Sequence, residues 1–130
     1  MKGSYILLME LDEDKNIKIG KLGNIFFKNG YYVYVGSALN GLENRINRHL
    51  RSDKKLHWHI DYFLQHAKVI DAFYKENEIR EECFIANKIG ENATPINGFG
   101  CSDCNCKSHL FNGCKKFFLY MINELKMKRL

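Results

Sequence analysis

The chain lacks any run of about 18 consecutive apolar residues, the length a membrane-spanning helix needs, so no transmembrane segment is expected. A secretory signal is missing too: MKGSYILLMELDEDK has only a short apolar run, turns acidic at once and reads as a core strand. Internal repeats and linker-like stretches are absent, which leaves one domain over residues 1–130 as the expectation. An even cysteine count is also lacking. Five cysteines without an export signal argue for reduced thiols or a metal site in the cytoplasm, and against a disulfide framework. A hydrophobic content of 45% with 13% aromatics excludes a disordered chain.

The elements that are present suggest an α+β fold, a small antiparallel β-sheet flanked by helices. SYILLMEL is apolar at nearly every position, as a central strand is. IKIGKLGNIFFKNG gives one or two short strands ending in Asn29-Gly30, a hairpin signal, so with YYVYVGS the first third reads as an antiparallel meander. After the Gly36 and Gly41 turns, Leu42, Ile46 and Leu50 form the apolar stripe of a basic helix. KKLHWHIDYFLQHA predicts a second, short helix and KVIDAFYK a further strand. EIREECFIANKIG predicts a helix ending at Gly90, with Ile79, Cys83, Ile85, Ala86 and Ile89 inward. NATPINGFGCSDCNCKSHLFNG reads as a long loop. CKKFFLYMINELKMKRL closes the chain as a helix burying Cys114, Phe117, Met121 and Leu125, with Lys126, Lys128 and Arg129 at the negative pole of its dipole.

The net charge of +5 is unevenly placed. Arg45, Arg48, Arg51, Lys54 and Lys55 crowd one stretch with His49, His57 and His59, and Arg48, Arg51, Lys54 and Lys55 are candidate contacts to a nucleic-acid backbone. Arg45 and His49 are four apart, at the border of the apolar stripe, where they would be shielded from water yet reachable by a ligand. The same spacing fits the solvated edge of a basic helix. His57 and Asp61 have the spacing of a pair that fixes the start of the second helix. His59 would face the basic helix, and Trp58 could stack on an extruded base.

Cys101, Cys104, Cys106 and His109 offer enough soft ligands for a tetrahedral zinc site, with Cys114 beyond. Buried thiols behaving as small apolar groups fit the same residues. A further reading sets Ser102, Asp103 and His109 beside an active site.

Gly3-Ser4-Tyr5, then Tyr34-Val35-Gly36, then Arg45 and His49 on a helix resemble the GIY-YIG nuclease superfamily, which includes homing, restriction and DNA-repair nucleases. The ordered strings GYYVYVGSAL, GLENRINRHLR, KKLHWHIDYFL, EEC and GFGCSDCNCKSHLF are similar to its Uri-type branch, long described only as a domain of unknown function. The likeness runs from Gly3 to about Phe111. It implies a divalent-metal-dependent endonuclease acting on DNA, RNA not being excluded; a chain this small has limited surface for reading bases, so structure rather than sequence selectivity is expected. Carried over, Tyr5 is a possible general base, Tyr34 orients water or phosphate, Arg45 pairs with the scissile phosphate and His49 assists proton transfer. Glu82 holds Mg²⁺ or Mn²⁺, and neighbouring Glu81 points about 100° away. A phenol near pKa 10 serves as a base only where Arg45 and the cation favour its phenolate. Ser37 stands where the superfamily often has lysine, which keeps open a non-catalytic nucleic-acid-binding module of the same fold.

Overall fold

A computed structural model describes residues 2–38, 41–101 and 104–130. Its organising element is β1 (Gly3–Leu11), in which only Glu10 is exposed. Side chains alternate across a strand, and here both faces are covered. Tyr5, Leu7, Met9 and Leu11 enter one core layer, Ile6 and Leu8 the other. Burying each large apolar side chain stabilises the fold by about 1.5–3 kcal/mol.

The neighbours of β1 are β4 (Gly30–Ala38) and β5 (Lys68–Glu76), both antiparallel to it. With β6 (Thr94–Pro95), β7 (Leu110–Gly113) and β8 (Lys128–Arg129), the sheet runs β6-β7-β4-β1-β5-β8. β2 (Lys15–Lys18) and β3 (Asn24–Phe27) pair in a separate two-stranded sheet. α1 (Leu42–Leu50) and α2 (His59–Phe63) contribute Leu42, Ile46, Ile60 and Phe63 to the layer of Tyr5. On the other face, α3 (Glu82–Gly90) and α4 (Lys115–Glu124) supply Ile85, Ala86, Ile89, Phe118 and Ile122. The α+β architecture with a central SYILLMEL strand is therefore as expected.

Several local expectations are corrected. Asn29-Gly30 does not close a hairpin: it carries the chain from the small sheet into β4 and is anchored by Asp14 Oδ1, which accepts from Asn29 N at 2.7 Å and Nδ2 at 2.8 Å. The meander is accordingly interrupted, since β1 pairs with β4 rather than with β2. In α1 the buried residues are Leu42, Ile46 and His49, and Leu50 is 51% exposed. At about 100° per residue, a seven-residue step returns within about 20° of Leu42, whereas an eight-residue step drifts by about 80°. α3 begins at Glu82, leaving Ile79 exposed, because a bend closed by Asn77 Nδ2 donating to Glu81 Oε2 at 2.8 Å comes first.

α4 beds Phe118 and Ile122 rather than the expected stripe, with Phe117, Met121 and Leu125 only partly buried and Cys114 exposed at its N-cap. Gly113 makes room for this: a Cβ there would lie 2.9 Å from Phe118 Cζ. Lys126, at φ 59°, then turns the chain into β8, so the terminal basic residues pair along β5 instead of ending a helix. The long loop gains β6 and the whole of β7. Among the described residues no helix is long and apolar enough to cross a membrane.

Candidate active site and thiol cluster

β1 and β4 place Tyr5 directly opposite Gly36. A Cβ on Gly36 would meet Tyr5 Cζ at 2.3 Å, so the missing side chain is what lets the phenol lie across the strand. Gly36 thus serves close approach inside β4 rather than the turn anticipated for it. The Tyr5 hydroxyl reaches His49 Nε2 at 2.7 Å. Burial and then Tyr34 push the Tyr5 phenol well above its ordinary pKa, against the pull of Arg45. Burial draws His49 down to about 4. The two rings form a neutral pair at neutral pH, and the phenolate that a general base would need is disfavoured in this arrangement.

In front of Tyr5 lies a cavity of about 410 Å³, walled by Tyr34, Ser37, Arg45, Trp58, His59, Arg80 and Glu82. His49 does not line the cavity and meets it only through its contact with the Tyr5 hydroxyl. Arg45 donates to the Ser37 carbonyl at 3.2 Å, and its guanidinium carbon lies 4.5 Å from the centre of the Trp58 ring, a cation–π distance. Trp58 is thus an anchor for arginine here.

Glu82, at the first turn of α3, is 7% exposed. Burial raises its pKa, but Arg80 and the Ser37 side chain outweigh it and hold the carboxyl below the usual range. Arg80 pairs with Oε1, whereas Oε2 is buried and has no hydrogen-bond partner among the described residues. Ser37 is therefore part of the Glu82 environment. Glu81 turns away and pairs with Lys75 at 3.2 Å.

His59 and Arg80 also line the cavity, and no spacing in the chain marks either as a member of it. His59 Nδ1 accepts from Gly100 N at 2.8 Å. A backbone N–H can only donate, so neutral His59 carries its proton on Nε2. Burial favours that neutral form by lowering its pKa. His59 packs on Phe99, 5.5 Å between ring centroids.

The expected backbone contacts divide. Asp61 is fully buried and accepts from Arg48 Nη1 at 2.9 Å and Nη2 at 3.1 Å, so Arg48 is committed to an internal ion pair. The same carboxylate accepts from His57 N and Trp58 N, both at 2.8 Å; the helix start is fixed by the His57 backbone instead of its imidazole. Lys54 Nζ donates to the carbonyls of His49 and Arg51 at 2.8 Å, closing the C-terminus of α1. Arg51 and Lys55 are exposed.

Beside the cavity, Cys83, Cys104, Cys106 and His109 have their ligand-capable atoms within 4.8 Å of one another. This corrects the expected zinc set at one position. Cys83 of α3 takes the place assigned to Cys101, whose thiol donates to the Phe99 carbonyl at 3.4 Å. No spacing rule could have found Cys83, which joins from another element. The tight Cys104-x-Cys106 pair does converge. Ser102 and Asp103 lie outside the described residues, and His109 does border the cavity.

Residues 4–128 match the model of the family described as Domain of unknown function DUF123, and the chain belongs to that family. No curated protein and no solved structure matches it.

Proposed function

We propose that this chain is a GIY-YIG-type, Uri-like endonuclease that hydrolyses phosphodiester bonds of DNA in the cytoplasm with the help of Mg²⁺ or Mn²⁺. One observation carries the reading: Tyr5, Tyr34, Arg45 and Glu82, far apart in sequence, line a single cavity beside a basic helix. Glu82 fits a divalent cation, because its carboxylate is held ionised beside the cavity and its buried Oε2 has no hydrogen-bond partner among the described residues, which leaves that oxygen for a ligand. Magnesium needs few protein carboxylates, so one suffices. A cation bound there supplies charge against the phosphoryl oxygens.

The chain's own residues do the rest. Arg45, braced by the Ser37 carbonyl and Trp58, offers a fixed guanidinium to the phosphate. Neutral His59 presents Nε2–H to a second oxygen. Tyr5 is a relay rather than a resting base: its Oη takes a proton from the attacking water as its own passes to His49 Nε2. His49 is a weak base in its buried state, so the charge developing on phosphate has to drive that transfer. Arg51 and Lys55 remain to track the backbone, a limited surface that favours structural over sequence recognition.

The test is cleavage of labelled single-stranded, duplex and flapped DNA with Mg²⁺, Mn²⁺ or EDTA, by wild type and Glu82→Ala. Metal-dependent cutting that disappears in Glu82→Ala while binding persists is the expected result. Binding without cutting in every lane would overturn it in favour of a non-catalytic binding module. Cutting by Glu82→Ala would move the cation elsewhere.

A further inference from the structure

We infer that Cys83, Cys104, Cys106 and His109 form a closed, structural zinc site that staples the cysteine loop to the first turn of α3. The inference stands apart from the nuclease reading, since no catalytic group is needed for it.

The geometry is that of a preformed four-ligand site. A tetrahedral zinc with Zn–S near 2.3 Å sets its sulfurs about 3.8 Å apart. The four ligand atoms already lie within 4.8 Å of one another, so small rotations of the side chains close the shell. Cys104 Sγ stands 3.3 Å from His109 Nε2, and Cys83 Sγ 3.9 Å from it. Five cysteines occur in the chain, and the three at this point come from two separate segments.

The orientation of His109 is the independent observation. Its Nδ1 lies 3.2 Å from the Val35 carbonyl, and a carbonyl can only accept, so Nδ1 carries the proton. Nε2 is then left with its lone pair facing the sulfurs. A ligating histidine whose other nitrogen donates to a backbone carbonyl is the arrangement by which metal sites fix tautomer and ring direction. Val35 belongs to β4, so the outer bond ties the site to the central sheet. Three soft sulfurs and one imidazole select zinc over the hard cation proposed for Glu82.

The position explains what the site is for. Between Pro95 and Leu110 the described backbone bonds gather at the two ends of the loop: Ile96 N to Leu110 O, Gly98 N to Lys107 O and His109 N to Phe99 O, each 2.9 Å, with Phe99 N to Ile96 O at 3.1 Å and Cys101 N to Gly98 O at 3.3 Å. Beyond them, zinc would supply the bracing. Cys83 follows Glu82 directly, and Cys104 and His109 wall the same cavity. The staple would therefore hold the loop and the Glu82 turn in one register.

The experiment is metal analysis of the full chain, purified without chelator, together with Cys83→Ser and Cys101→Ser. Expected is about one zinc per chain in wild type and Cys101→Ser, and its loss in Cys83→Ser. Loss of an outer-shell partner alone typically weakens metal affinity about 10–100-fold, and removing a thiolate should weaken it at least as much. Cobalt titration covers the case in which a variant fails to fold. Wild type should give thiolate-to-cobalt charge-transfer bands and the intense visible bands of a tetrahedral site. Protease cleavage within residues 96–109 should be faster after zinc is stripped. A wild type that holds no zinc after reconstitution, or that holds iron instead, would overturn the inference. So would a Cys101→Ser variant that loses zinc as Cys83→Ser does.

Discussion

Replacing His49 by glutamine tests the neutral Tyr5–His49 pair through acid stability. His49 is 2% exposed, and burial holds its pKa at about 4, against 6.5 for an unperturbed imidazole. Between these values the unfolded chain binds a proton that the folded chain refuses, so stability falls as pH drops from about 6.5 towards about 4. Near pH 7 almost none of this cost is felt. Near pH 5 the two-state linkage gives a loss of about 2 kcal/mol. Glutamine keeps an acceptor for the Tyr5 hydroxyl and removes the titration. Urea unfolding of both proteins near pH 7 and near pH 5 should show wild type losing about 2 kcal/mol more than His49→Gln. His59, also depressed by burial, stays in both proteins and cancels. Parallel pH dependences would mean that His49 is charged or hydrated in the folded protein, and the neutral pair would be refuted.

Gly36→Ala should destabilise by about 1–3 kcal/mol, because the new Cβ meets the Tyr5 ring at 2.3 Å. It should also raise the His49 pKa as the pair is prised open, which NMR titration of the imidazole would read. Asp61→Ala should cost about 3–5 kcal/mol in denaturant unfolding, since it strands the Arg48 charge along with two backbone N–H groups. Arg51→Ala, at an exposed site, should leave stability within about 0.5 kcal/mol. On the proposed nucleic-acid role, it should lower the salt slope of DNA binding by about one. Equal stability losses in Asp61→Ala and Arg51→Ala would contradict the division between internal and free cations.

Composition and periodicity determined the α+β class, the central place of SYILLMEL, the strand character of YYVYVGS and the basic helix after Gly41. Hydrophobic pattern expresses burial, and burial on both faces of a strand leaves a nearly continuous apolar run. The meeting of Tyr5 and Tyr34 with Arg45 was legible only through the spacing of a family-like string. Tertiary structure decided the rest. Whether His49 or Leu50 turns inward depends on the helix's exact pitch and on a phenol waiting to pair with the imidazole. Whether Arg48 is a free cation depends on Asp61, thirteen residues away and on another helix. Cys83 becomes a cluster member, and Cys101 does not, because α3 brings its first turn against the loop. Pairing partners that lie on different elements leave no periodic trace in the chain. Only packing brings them together, and the chemistry of the site depends on those pairings.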